Sequence, residues 1–309
     1  MTDGDDVLTV TANPAVDHTV RVDEPLRTGT VARTDDAKFD AGGKGINVSK
    51  YLTALDVDAP ATGFLGGPFG KMIRDRLDDD AVPNDFVDIG DRTRLNTTVL
   101  GPEGEYKINH DGPAVRDGEV TALVDRVRER APDRLVVAGS LPKGVTTDDV
   151  DELASAGDWE TAVDMGGAAL AELDASYLAC KPNRDELAVA TGMAVETTAD
   201  CAAAAQALRD GKFRFVVASL GPDGALLAAE SGTYHAPAVP ADVVDTVGAG
   251  DALLSGFLAG LTRGESERTA LKTGVTVASR VVAASGTSVP DFDGIFDDRD
   301  DVTLSAARP

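Results

Sequence analysis

Lysine is nearly missing from this 309-residue chain: nine lysines stand beside twenty arginines, forty aspartates and thirteen glutamates, for a formal charge of −24. That balance weighs against a general nucleic-acid binder or an anionic-membrane binder, because both need a positive face. Cysteine is as scarce. Cys180 and Cys201 are too few for a disulfide framework and read as buried free thiols. No apolar run approaches the ~20 residues of a membrane span. No basic, then apolar, then small-residue leader announces export, so a cytoplasmic protein is predicted. His18, His110 and His235 are scattered, with neither metal-ligand spacing nor a Ser or Cys nucleophile motif beside them.

What remains is folded and unusual. Hydrophobic residues make up 42% of the chain and recur periodically along it, which excludes a disordered polyanion. An Asp-rich, Lys-poor surface is the composition expected of a halophilic protein. At roughly 1 M salt the Debye length is about 3 Å, so repulsion among the carboxylates is screened.

Helical and strand patterns alternate with short links. Strands are expected at 7–12, 59–65, 134–138, 161–164, 176–179 and 213–219; helices at 45–55, 68–77, 118–130, 150–156, 185–190, 199–208, 249–261 and 266–284. This predicts an α/β fold, a three-layer αβα sandwich with a mostly parallel central sheet. Two stretches alternate at period two instead, 18–39 and 94–110, and read as antiparallel hairpins. A single domain is expected, carrying these hairpins (at about 15–39 and 94–110) as a small β-sheet lid over the carboxyl ends of the parallel strands, where ligands bind.

Three segments carry chemistry. Asp245-Thr-Val-Gly-Ala-Gly-Asp251 opens a helix. Gly248, Ala249 and Gly250 leave backbone N–H groups uncovered at the positive end of the dipole, an anion site. Asp251 inside it suits a base that accepts a hydroxyl proton during phosphoryl transfer, although N-terminal aspartates are also ordinary capping residues. Gly42-Gly43-Lys44-Gly45-Ile46-Asn47 is a second cradle, with Lys44 as cation and Asn47 as amide. It lacks the spacing of the GxxxxGK[ST] loop, and no GxGxxG supports a dinucleotide fold. Lys181-Pro-Asn183-Arg-Asp-Glu186 places Asn183 and Glu186 at capping-box spacing, where they either cap the helix or organise Mg²⁺ through water.

Weaker candidates surround these. Asp17 follows the first strand and is placed to grip hydroxyls. Arg33, Arg94 and Lys107 are positioned to reach a phosphate from the lid. The run Ser219-Leu-Gly221-Pro-Asp-Gly224 is a nucleotide platform or a plain hairpin.

In order along the chain, AGGKGINVS, KPNRDEL, SLGPDGALL and DTVGAGDALLSGFLAGL resemble the PfkB or ribokinase family of sugar kinases, from Val7 to Val289. The opening TANPAVDHTVRVD, the lysine of GGKGIN, RTRLNTTVL and AGSLPKGV look most like the members that phosphorylate fructose 1-phosphate, with tagatose 6-phosphate, fructose 6-phosphate and 2-keto-3-deoxygluconate as alternative substrates. The resemblance implies ATP and Mg²⁺, with K⁺ a further candidate ion; the exposed lid suits either a homodimer through it or a monomer. It implies Asp251 as catalytic base above an anion hole of Gly248, Ala249 and Gly250. Asp17, Gly42, Gly43 and Asn47 would hold the sugar; Lys44 and Arg94 would meet its phosphate, with Ser140 nearby. Lys181, Asn183, Glu186, Ser219, Gly221, Gly224 and Thr246 would serve the nucleotide, Asn183 and Glu186 through Mg²⁺. The helix 266–284 offers no clear adenine contact.

Overall fold

The computed structural model describes residues 5–284 and 289–307. A ten-stranded sheet forms the middle layer. Its parallel part runs β11 (Phe213–Ser219), β10 (Tyr177–Cys180), β9 (Glu160–Asp164), β8 (Arg134–Ala138), β1 (Val7–Thr11), β4 (Ala61–Leu65) and β5 (Val87–Asp88). Beyond β11 the sheet continues antiparallel through β12 (Ala225–Ala229), β13 (Gly232–Ala236) and β14 (Ser305–Ala306).

Neighbouring residues of β1 point to opposite faces, and Val7 and Leu8 are both fully buried. Each face therefore carries a helical layer, which is why the parallel strands read as continuous apolar runs. One layer holds α1 (Lys44–Ala54), α8 (Ala249–Thr262) and α9 (Glu267–Val282). The other holds α3 (Asp117–Arg130), α4 (Thr147–Ser155), α5 (Gly167–Glu172), α6 (Arg184–Thr191) and α7 (Thr198–Arg209). The sandwich expected from the sequence is present, with most element ends within three residues of expectation.

A second sheet, β3-β2-β6-β7, stands apart from the first. β2 (Ala15–Arg21) and β3 (Ala37–Gly42) are antiparallel, as are β6 (Arg94–Gly101) and β7 (Gly104–Asn109). The two pairs are joined by parallel pairing of β2 with β6. Residues 22–36, inside the first expected hairpin, form no strand. α2 (Gly67–Asp79) buries Ile73 and Leu77 against Val16, Ala41 and Leu65, tying this sheet to the main one.

α8 carries Gly256 and Gly260 in its interior, where each costs about 1 kcal/mol relative to Ala. Packing outweighs that cost. A Cβ at Gly256 would stand 2.8 Å from Gly274 Cα of α9, and one at Gly260 would stand 2.8 Å from Ala270 Cα.

Candidate active site

Parallel strands end on one side of the sheet, so the residues following them converge without being near in sequence. Chain order reverses at β1, whose neighbours are β4 on one flank and β8 on the other; such switch points open a ligand crevice at the carboxyl ends. Asn13 follows β1, Ser140 follows β8, Asp164 ends β9, Lys181 follows β10 and Ser219 ends β11. The starts of α1 and α8 meet at the same place.

α8 opens from Gly248 in a left-handed turn, φ 79°, with no side-chain cap. Asp251 sits in its first turn and is only 6% exposed. The Asn47 side-chain amide donates to Asp251 Oδ2 at 2.7 Å. Burial pushes the Asp251 carboxyl up to about 6, and nearby Asp164 adds to the shift. The Asn47 hydrogen bond, Lys181 and Lys44 oppose it. At neutral pH it is ionised and basic enough to take a proton from a hydroxyl.

Asp164 is fully buried and holds two cations. Lys44 Nζ lies 2.7 Å from Oδ1 and Lys181 Nζ 3.2 Å from Oδ2. An isolated buried carboxylate would be prohibitively costly; the two lysines offset its desolvation. Lys44 also stands 3.8 Å from Glu186. Burial works against its charge, but Asp164, Glu186 and Asp251 outweigh burial and raise the Lys44 pKa. Lys181 leans on the α8 cradle: a Cβ at Gly250 would stand 2.9 Å from its Nζ. Glycine at 250 therefore gives a cation access to the exposed amides.

On the β2–β6 side, Asn96 donates to Asp17 Oδ1 at 2.9 Å. A side chain at Gly42 would overlap the Asp17 carboxylate, and one at Gly43 (φ 138°) would meet Thr11 Cγ2 at 2.6 Å. Burial raises the Asp17 pKa against the Asn96 bond and Arg94. Arg94 donates to the Asn13 carbonyl at 3.0 Å, and Asn13 donates to Ser140 Oγ at 3.0 Å. Asn13 Oδ1, Asn47 Oδ1, Asn96 Oδ1 and Arg94 Nε are buried with no hydrogen-bond partner among the described residues. Each unmet polar atom costs on the order of 1–3 kcal/mol, which a hydroxylated, anionic ligand could relieve. Lys107 pairs with Thr98 in register, on the same sheet face as Asp17 and two pairs farther out, and its amine meets Glu105 at 3.0 Å. Arg33 is exposed between β2 and β3.

On the other flank, Asn183 Oδ1 accepts from Glu186 N and Glu186 Oε2 accepts from Asn183 N, both at 2.8 Å, so the capping box is made. Glu186 Oε1 remains turned toward Lys44. Ser219 bridges to Asn183. Gly221 (φ 61°) and Gly224 (φ 86°) bound the turn of the β11–β12 hairpin, and a Cβ at Gly224 would overlap the Ala236 carbonyl. Its left-handed turn and the close approach of the end of β13 thus account for Gly224. Thr246 is exposed, its carbonyl accepting from Ala249 N at 3.3 Å. Around it Val243, Val244 and Val247 are 65%, 63% and 51% exposed.

Sequence reasoning missed Asp164, Asn13 and Asn96, which the structure brings to this crevice. The signal for Asp164 was an acid closing an otherwise apolar buried strand. Asn96 carried none, since one polar residue in an alternating strand is ordinary.

A pair of cradles, a buried base and cations from separate strand ends on a doubly wound sheet define a phosphotransferase site, and the family follows: the chain matches pfkB family carbohydrate kinases over residues 10–292 and belongs to that family. Within it, the chain is 57% identical to 1-phosphofructokinase of Haloferax volcanii, covering 98% of this chain and 99% of that one. It is 33% identical to D-tagatose-1-phosphate kinase of Bacillus licheniformis, covering 82% and 84%. Phosphofructokinase-2 of Escherichia coli, solved in complex with potassium, superposes with a TM-score of 0.87 at 28% identity, covering 96% and 99%.

Proposed function

We propose that this sugar kinase transfers the γ-phosphoryl group of ATP to the 6-hydroxyl of fructose 1-phosphate, giving fructose 1,6-bisphosphate. The observation that carries the reaction is Asp251, buried at the uncovered N-terminus of α8 and held by Asn47. Asp251 takes the hydroxyl proton as the oxygen attacks phosphorus. The amides of Gly248, Ala249 and Gly250 receive charge on the transferring group, where preorganised donors count most. Lys181, beside Gly250, balances that charge from the nucleotide side.

Asp17, Gly42, Gly43, Asn47 and Asn13 hold the sugar hydroxyls, Asn13 and Asn47 through buried Oδ1 atoms with no hydrogen-bond partner among the described residues, while Lys44, Arg94, Ser140 and Lys107 attend the 1-phosphate. The smaller sheet is the lid over this site in a one-domain kinase. Thr246 and the exposed valines around it, with Ser219 and Gly221, offer the nucleotide an apolar and backbone surface.

Mg²⁺ bound with ATP would neutralise charge between the phosphates. The donor set fits it: no group of three or more His, Cys, Asp or Glu among the described residues could hold a metal directly, whereas Asn183 and Glu186 can order its waters. K⁺ is proposed near Asp245, on the likeness to the potassium complex of the E. coli enzyme. A homodimer is proposed through the lid face opposite Asp17, where Tyr106 and Ile108 are 49% and 58% exposed. The −24 charge supports a halophilic setting and the free thiols of Cys180 and Cys201 a cytoplasmic one, and no helix among the described residues is long and apolar enough to cross a membrane.

ADP release measured in molar KCl with fructose 1-phosphate, fructose 6-phosphate, tagatose 1-phosphate, tagatose 6-phosphate and 2-keto-3-deoxygluconate tests the reading. The highest kcat/KM is expected on fructose 1-phosphate; a clear preference for another sugar would replace it.

A further inference from the structure

Tyr51 lies on α1 one turn beyond Asn47, so the two side chains leave the same face of the helix. That face meets the first turn of α8. Asn47 reaches the Asp251 carboxylate, while Tyr51 lies against Gly248. The tyrosine is fully buried and meets Phe292 edge-on, with ring centroids 6.3 Å apart. Its hydroxyl has no hydrogen-bond partner among the described residues.

Phenylalanine would fill the same space without an unpaired buried hydroxyl, so packing of the ring does not account for the oxygen. Its contact with Gly248 does. A Cβ built at 248 would stand 2.5 Å from the hydroxyl oxygen but 3.6 Å from the ring carbon bearing it. The oxygen therefore occupies the side-chain space of position 248, at the residue whose left-handed turn opens α8.

We propose that Tyr51 is a positioning residue for phosphoryl transfer: its hydroxyl bears on Gly248 and fixes the turn from which the cradle amides and Asp251 are aimed at one reacting group. The inference rests on the kinase reading above. It makes α1 the common support of Lys44, of the base through Asn47 and of the cradle through Tyr51.

The test is a double-mutant cycle of Tyr51→Phe and Gly248→Ala, read as ADP release on fructose 1-phosphate with thermal unfolding of every variant. Tyr51→Phe is expected to lower kcat about tenfold to a hundredfold, as a misplaced reacting group does, with both KM values within about twofold. Gly248→Ala is expected to cost at least about a hundredfold alone and measurably less in the Tyr51→Phe background, because contacting residues couple, while the part set by the left-handed backbone at 248 remains in both. Normal kcat in folded Tyr51→Phe, or an equal cost of Gly248→Ala in both backgrounds, would overturn the proposal. If Gly248→Ala does not fold, the Tyr51→Phe arm decides alone. An unaltered protein that releases no ADP overturns the kinase reading and this inference with it; an active protein indifferent to the changes overturns the inference only.

Discussion

The Asn47 side-chain amide donates to the Asp251 carboxylate at 2.7 Å, across 204 positions of the chain. The bond joins the start of α1 to the start of α8 and brings both glycine cradles into one crevice. It also fixes the carboxylate while lowering a pKa that burial raises.

Asp251→Asn keeps the shape of the site and removes the base. We expect kcat to fall by about 10²–10⁴, the usual contribution of a positioned base, with nucleotide and sugar-phosphate affinities within a few-fold. Since the folded carboxyl has its pKa raised to about 6, the ionised form is disfavoured by folding at neutral pH. The same variant is therefore expected to unfold at higher temperature at pH 7.5. Near-normal turnover in an ADP-release assay would remove Asp251 from its role.

The raised value also sets a pH dependence. A base must be ionised, so kcat/KM is expected to drop as pH falls through about 6. Asp164 raises the Asp251 value and the Asn47 bond lowers it. Asp164→Asn should move the acidic limb to lower pH and Asn47→Ala to higher pH. Limbs that shift together, or not at all, would break the electrostatic account.

The proposed reading gives Lys44 and Arg94 to the sugar phosphate, and Arg94 Nε is buried with no hydrogen-bond partner among the described residues. Lys44→Ala and Arg94→Ala are each expected to raise KM for fructose 1-phosphate about tenfold or more, in line with a lost charge-assisted hydrogen bond, and to change KM for ATP far less. Equal effects on both substrates would place them elsewhere. Lys44→Ala also leaves Asp164 with Lys181 alone, so a lower unfolding temperature is expected for it.

Carboxylates outnumber basic groups 53 to 29. Raising KCl from about 0.1 M to about 1 M shortens the Debye length from about 10 Å to about 3 Å. The unfolding temperature is expected to rise over that range, most of the gain arriving by about 1 M, and activity with it. A flat or falling curve would refute the halophilic reading.

The sequence by itself determined the alternation of most strands and helices, the two glycine cradles and the aspartate inside one of them, because each is announced locally. Periodicity marks the buried faces, and glycines beside a lone Asp or Lys mark where a backbone is left open. The hairpin at 94–110 was legible in the same way and that at 18–39 only at its two ends, while the parallel pairing of β2 with β6 that makes them one sheet was not. Tertiary structure alone decided what the acids and bases face. Asp164 looks like the end of any strand until parallel strands bring Lys44 and Lys181 onto it, and Tyr51 looks like core until α8 sets Gly248 against its hydroxyl. The reason is physical: pairing of buried charges and close approach of backbones depend on distance in a low-dielectric crevice, and separations of 120 or 204 residues leave no trace in local pattern.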